Sequence, residues 1–211
     1  MRLLLIAALA LATPVEAARR HYLAPTAQGD GSGRNAANAR AFDGHDLNTR
    51  LLNDASDPEV ELRLAPGLYP VRTAINVGGG TLGPRLRIRI IGEGTHPEDT
   101  VLLNERPFAN NTQDRIARFQ DIDRIEVENL TFDGNWDRRL AQAGHPALAG
   151  YYKNQPFYAA ARTGRIRKVI VRNHGSVGVV PQTPFDNAAG VESFPLSVAT
   201  IDVGQGPEGD D

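Results

Sequence analysis

A long acid-free stretch of this sequence carries side chains suited to binding an anion. No Asp or Glu occurs between residues 138 and 185, where the chain's average composition would place about five or six. The candidate binding residues in this stretch are Arg162, Arg165, Arg167, Tyr151 and Tyr152. Because guanidinium groups pair with carboxylates and aromatic rings stack on sugar rings, we predict that they bind an acidic polysaccharide. A basic loop that is merely exposed to solvent is the alternative.

Three oxygen-bearing side chains alternate in residues 133–137, a spacing found in calcium-binding loops. Asp133, Asn135 and Asp137 are therefore candidate metal ligands, and calcium is the candidate cofactor. The glutamate that closes an EF-hand loop at its twelfth position is absent, because Gly144 stands there. A turn in which Asp133 and Asn135 bond to their own backbone explains the same pattern, and the sequence favours this interpretation.

Two further sets of charges lie on predicted strands. Glu126 and Glu128 share one face at roughly 6.6–7 Å between Cα atoms, a separation compatible with the carboxylate pair of a glycoside hydrolase. Because any charged strand face gives this spacing, hydrolysis is only the second enzymatic hypothesis. Arg85, Arg87 and Arg89 alternate along another strand, and we interpret them as a solvated face rather than a binding subsite.

The start of the chain predicts export. Arg2 precedes an apolar run over residues 3–12, and residues 15–17 offer small side chains at the two positions that a signal peptidase reads. The run has about half of the roughly 20 apolar residues that a membrane-spanning helix needs. We therefore predict a signal peptide over residues 1–17 and a secreted or periplasmic mature protein without a transmembrane segment. Export also argues against nucleic acid as a partner.

The composition is that of a turn-rich β protein. The 211 residues include 21 Gly, 14 Pro and no Cys, with a formal net charge of −2. Without disulfides, an exported chain depends on packing and hydrogen bonds for its stability. The helical spacing of Leu47, Leu51 and Leu52 predicts one helix, over residues 43–55.

Most of the remaining chain alternates apolar and charged residues as β-strands do. The pairs Val127/Asn129 and Val171/Asn173 suggest a repeated unit of strand and asparagine turn, in which the asparagines of successive turns stack. We therefore predict a parallel β-solenoid, with an insertion at about 136–165 that projects from it. An antiparallel sandwich is the alternative, but signals for hairpin turns are scarce.

A family resemblance is carried by four segments: YLAPT (22–26), LRLAPGLY (62–69), IIGEG (90–94) and IEVENLTFDGN (125–135). They resemble the opening coils of right-handed parallel β-helix proteins of the pectate-lyase-like (pectin lyase fold) superfamily. The resemblance implies an all-β fold, with an N-terminal strand, Gly-rich loop and capping helix over 18–57 and β-helix coils over 58–211. Such domains usually run past this length, so we expect this sequence to be the N-terminal part of a longer protein.

Members of this superfamily commonly act on polysaccharides, which makes a lyase on an acidic polysaccharide our first functional hypothesis. β-Elimination needs a positive group beside the carboxylate and a base that takes the C5 proton. Lys153, Arg172 and His174 are the candidate catalytic residues, and Arg172 lies on a predicted strand. We expect a monomer. A non-catalytic β-helix that binds glycans or builds surface structure is the alternative from another functional class.

Overall fold

The structure is a computed structural model that describes residues 19–42, 59–78, 86–106, 115–135, 157–173, 179–182 and 197–203. These residues form eleven strands and two 3-10 helices of three residues each, and no α-helix occurs among them. The predicted signal peptide over 1–17 and the predicted capping helix over 43–55 lie outside the described residues. No helix in the described part of the chain has the length and apolarity to cross a membrane.

The strands vary in length from two residues to seventeen. They are β1 (Arg19–Ala24), β2 (Arg40–Ala41), β3 (Glu59–Leu64), β4 (Gly67–Val71), β5 (Ile75–Gly78), β6 (Arg87–Gly92), β7 (Thr100–Asn104), β8 (Ala117–Asp133), β9 (Phe157–Arg172), β10 (Val179–Gln182) and β11 (Ser197–Val203). The 3-10 helices span Ala36–Asn38 and Pro97–Asp99.

Every strand pair in the described residues is parallel. β8 contacts three earlier strands in succession: residues 117–120 pair with β5, 124–128 with β6 and 131–133 with β7. β9 then pairs with β8 along nearly its whole length. Because one strand joins three others in turn, the sheet curls, and the described residues form an all-β, half-barrel-like parallel sheet. This confirms the all-β, parallel part of the prediction.

The bends within the long strands occur at residues with positive φ. Asp121 and Asn129 in β8 have φ values of 54° and 57°, and Lys168 in β9 has 51°. Lys168 lies opposite Asn129, between two register pairs that join β8 to β9. The side-chain amide of Asn129 donates to the carbonyl oxygens of Gly92 at 3.0 Å and Gly94 at 2.6 Å. Asn129 thus ties the bend in β8 to the end of β6.

The predicted stacking of Asn129 on Asn173 is wrong. The register pairs Val127 with Ile166 and Val171 with Phe132. Asn129 and Asn173 therefore follow different segments of the curled sheet and occupy different corners. Sequence alternation identified the strands, but the pairing between distant strands decides which residues meet.

The core consists of inward side chains stacked in register. One set is Leu62, Ile90, Val127 and Ile166, and another is Tyr69, Leu102, Phe132 and Val171; all eight are buried. The ring of Phe132 also stacks on that of Phe157 at a centroid distance of 4.9 Å. The strands are held together by this apolar interior, because burial of apolar surface is the main favourable term in folding.

The end of the predicted insertion belongs to the sheet. Residues 157–165 are part of β9, whereas residues 136–156 lie outside the described residues. Phe157, Ala159 and Ala161 point inward and are buried. Alanine is a weak strand former, which explains why the sequence pattern placed the start of this strand too late.

Replacing Asn129 by Ala should lower the free energy of unfolding by about 2–4 kcal/mol, because it removes two hydrogen bonds and leaves a Cβ at positive φ without compensation. Asn129→Gly loses the same hydrogen bonds but tolerates the backbone angle, so it should cost about half as much. Urea denaturation measures both values, provided that the m-value is unchanged. Equal losses in the two variants would show that the backbone angle carries no cost.

Candidate functional site

The densest group of charges in the described residues lies on the outer surface of the curled sheet. We call this surface the charged face. It spans β1, β3, β6, residues 122–128 of β8 and residues 161–167 of β9. Eight arginines and five acids contribute to it: Arg20, Arg63, Arg87, Arg89, Arg124, Arg162, Arg165, Arg167, Glu59, Glu61, Asp123, Glu126 and Glu128. The arginines outnumber the acids, so the face is cationic although the whole chain is weakly acidic.

One row of this face alternates in sign across five strands. The register aligns Arg20, Glu61, Arg89, Glu126 and Arg165 in that order. Neighbouring strands lie about 4.7–4.9 Å apart, so each charge faces an opposite charge on the next strand. Such cross-strand pairs stabilise a sheet, whereas like charges in the same positions destabilise it.

Glu61 is the centre of this row and is only 2% exposed. Its carboxylate lies 2.7 Å from Nε of Arg20, 2.6 Å from Nε of Arg63 and 2.8 Å from Nη1 of Arg89. Burial raises the pKa of Glu61, but hydrogen bonds to Arg63 and Arg20, together with their charges, outweigh burial and hold the pKa below its usual range. Glu61 is therefore a fixed anion that organises three arginines.

Arg87 and Arg124 border an open groove of about 260 Å³ on the charged face. Nε of Arg87 lies 2.9 Å from Oδ2 of Asp123, and this hydrogen bond raises the pKa of Arg87. Arg124 forms an ion pair with Glu126, which also lies 2.8 Å from Nε of Arg89. The groove is lined by Glu59, Arg87, Ile88, Arg89, Arg124 and Glu126.

The three predicted binding arginines lie together on β9, at one end of the charged face. Arg162 pairs with Asp123, and Arg167 pairs with Glu128. Arg165 is exposed and has no ion-pair or hydrogen-bond partner among the described residues. Its register partner Glu126 is already engaged by two other arginines. No described side chain therefore engages the donors of Arg165.

Arg172 lies apart from these three arginines, on the segment of β9 that follows the bend at Lys168. Its Nε donates to Oδ2 of Asp133 at 2.8 Å, and Nδ2 of Asn173 donates to Oδ1 of the same carboxylate at 3.0 Å. An arginine engaged as a donor does not present the acceptor that a general base needs. The contacts of Arg172 thus fit a structural role better than the predicted catalytic one.

The predicted metal ligands Asp133 and Asn135 form the backbone turn that the sequence favoured. The backbone N–H of Asn135 donates to Oδ1 of Asp133 at 3.0 Å, and Nδ2 of Asn135 donates to the carbonyl oxygen of Asn104 at 3.0 Å. No group of three or more acidic or histidine side chains in the described residues is arranged to hold a metal ion. The candidates outside the described residues are Asp137, Tyr151, Tyr152, Lys153 and His174.

Sequence reasoning did not single out Glu61, because alternation placed it on the solvent side of β3. Its burial arises from arginines on three strands, and only its own neighbour Arg63 is close in sequence. The spacing of Glu61 and Arg63 was the available signal, but it did not reveal Arg20 or Arg89.

Replacing Glu61 by Gln should flatten the dependence of stability on acid pH. Because the folded-state pKa is lowered, Glu61 stabilises the fold above its unfolded pKa of about 4.3, and this contribution is lost as the pH falls through the folded value. At pH 7 we expect Glu61→Gln to cost about 1–3 kcal/mol. Thermal unfolding between pH 7 and pH 3 measures both effects.

The matched control is Glu98→Gln, because Glu98 is exposed on the second 3-10 helix. It should leave both the thermal midpoint and its pH dependence unchanged. If Glu61→Gln retains the full acid sensitivity of the unmodified chain, other carboxylates are responsible for that sensitivity.

Comparisons with known proteins add no assignment to this geometry. No protein-family model, no curated protein and no solved structure matches the chain. The candidate site therefore rests on the charged face itself, and the likeness to the pectate-lyase-like superfamily rests on the sequence segments that carry it.

Proposed function

We propose that this chain is an exported right-handed parallel β-helix of the pectate-lyase-like superfamily that acts on an acidic polysaccharide. The curled, all-parallel sheet is compatible with such a coil, since β8 contacts three earlier strands in succession. The observation that carries the functional proposal is the cationic face, which ends on β9 with Arg165, a side chain without an ion-pair partner among the described residues.

Binding of an acidic glycan follows from the charges on this face. Arg165 offers a guanidinium fork that matches a carboxylate in a bidentate fashion. Arg162 and Arg167 flank it on the same strand, each anchored by one acid from β8. A rigid strand thus presents three cations at fixed spacing, which favours a polymer with repeated negative charges over a neutral one.

Cleavage by β-elimination is the chemistry we propose on the bound chain. Arg165 neutralises the uronate carboxylate and thereby acidifies the neighbouring C5–H bond. A base takes the C5 proton, the C–H electrons form the C4–C5 double bond, and the C4–O bond breaks as the leaving oxygen gains a proton. Lys153 and His174 are the proposed bases, since Arg172 is engaged with Asp133.

A non-catalytic glycan-binding protein is the second candidate, favoured by the contacts of the acids on the same face. Glu126 and Glu128 are both engaged by arginines. A hydrolase needs one carboxylic acid that donates a proton to the leaving group, whereas these two carboxylates are placed as acceptors. The described part of the face is thus better suited to binding than to hydrolysis.

The experiment is incubation of the full chain with pectate, alginate and glycosaminoglycans, with a neutral glucan as the control. We expect ultraviolet absorbance of an unsaturated product from at least one acidic substrate and none from the glucan. Release of reducing ends without that absorbance would indicate the hydrolase. Binding without any product would identify the non-catalytic protein, and neither binding nor product would reject the proposal.

Replacing Arg165 by Ala should weaken binding of the acidic polysaccharide about tenfold, which corresponds to one lost charge-assisted contact of roughly 1.4 kcal/mol. The thermal midpoint should hardly change, because Arg165 has no partner among the described residues. Arg72→Ala is the matched control, since Arg72 is 76% exposed and pairs with Glu105 away from the charged face. An unchanged affinity with a lowered midpoint would assign Arg165 to the fold.

A further inference from the structure

Two arginines stand directly opposite each other on neighbouring strands of the charged face. Arg87 of β6 and Arg124 of β8 are register partners, and adjacent strands lie about 4.7–4.9 Å apart. Like charges in such positions destabilise a sheet. The row beside them, in which Arg89 lies opposite Glu126, alternates in sign instead. In their own row the register partner of Arg87 on β3 is Glu59, but no acid lies between Arg87 and Arg124.

Each of these arginines is held by one acid and has donors left over. Arg87 uses Nε toward Asp123, and Arg124 uses Nη2 toward Glu126. Their side chains are 54% and 56% exposed. A guanidinium carries five N–H donors, so the acids fix the direction of both groups without exhausting their hydrogen-bonding capacity.

The groove between them has the size of a small ligand. Its volume of about 260 Å³ lies just below the range of roughly 300–1,000 Å³ that is typical of pockets for drug-sized ligands. Arg89 adds a third cation to its lining, and Glu126 is shared between Arg89 and Arg124. Glu59 is the other acid of the lining. The groove thus suits one anionic group rather than a large ligand.

We propose that this groove is an anion subsite, in which Arg87 and Arg124 together bind one carboxylate or sulfate group of a glycan. An oxyanion that bridges both guanidinium groups would offset their repulsion. The assignment of the anion to a glycan rests on the proposed function. The subsite lies beside the β9 arginines, because Glu126 in its wall is the register partner of Arg165. The binding face then extends from β9 across β8 to β6.

The test compares the full chain with Arg87→Ala/Arg124→Ala and with Arg87→Lys/Arg124→Lys. Isothermal titration uses polygalacturonate as a carboxylate polymer, heparin as a sulfated polymer and a neutral glucan, followed by glucuronate and inorganic sulfate as small anions. We expect the Ala variant to lose at least tenfold in affinity for one of the two acidic polymers. The Lys variant should be intermediate, because an ammonium retains the charge without the bidentate fork.

Arg72→Ala is again the control and should bind as the unmodified chain does. The polymer whose affinity falls more in the Ala variant identifies the source of the anion as carboxylate or sulfate. Unchanged affinity in a folded Ala variant would overturn the subsite, while binding by the unmodified chain would still support the proposed function. Arginine-dependent binding of glucuronate or sulfate without binding of either polymer would retain the subsite and reject the function. No binding of any anion would reject both.

A second measurement needs no variant, and it tests the subsite even if the Ala variant does not fold. Phenylglyoxal modifies accessible arginines, and mass spectrometry of the digested chain locates the modified residues. We expect the favoured polymer to protect both Arg87 and Arg124 while Arg72 stays reactive. Equal modification of Arg87 and Arg124 with and without saturating polymer would overturn the subsite.

Discussion

Parallel pairing in a defined register is the constraint on which the rest of this structure depends. Because side chains alternate between the two faces of a strand, a slip by one residue would turn every apolar side chain outward and every charge inward. Leu62 and Ile90 stack inside the sheet because Glu61 and Arg89 stack outside it. The apolar core and the charged rows are thus two consequences of one register.

The same constraint restricts the backbone where strands bend. Gly92 ends β6 against the bend in β8, where a Cβ atom would lie 2.0 Å from the carbonyl oxygen of Asn129. A Cβ on Gly164 would lie 2.4 Å from the carbonyl oxygen of Ile125. Neither position has space for a side chain, because neighbouring strands approach closely where the sheet curls. These contacts explain glycine at two positions inside strands, where it otherwise weakens the structure.

Local sequence patterns predicted most of the strands, but they did not predict which residues lie next to each other on neighbouring strands. Alternation identified β3, β6 and the middle of β8, since an inward apolar side chain follows each outward charge. It failed at the start of β9, where buried alanines carry little strand signal. It also misjudged Asn173 and Glu61, because their partners depend on pairing between residues about 30 to 40 positions apart. Such pairing leaves no mark within a single strand.

In the candidate site, too, some features are visible in the sequence and others depend on the pairing between strands. The acid-free stretch directed attention to the arginines of β9, because an excess of one charge is visible in composition alone. For Arg87 the sequence alone indicates a solvated side chain, since nothing near it in sequence shows that Arg124 lies opposite. The register converts two ordinary strand charges into a pair of cations beside a groove.

The acids of the charged face are part of how it would bind an anion. An isolated arginine on a surface loses side-chain entropy when it orders around a ligand. Asp123 and Glu126 hold Arg87 and Arg124 in place before any ligand arrives, which lowers that cost. They also reduce the net charge of the face, which limits non-specific attraction to other polyanions. Arginines anchored in this way attract distant anions less strongly, but their donors have a fixed arrangement. A fixed arrangement of donors distinguishes one anionic polymer from another.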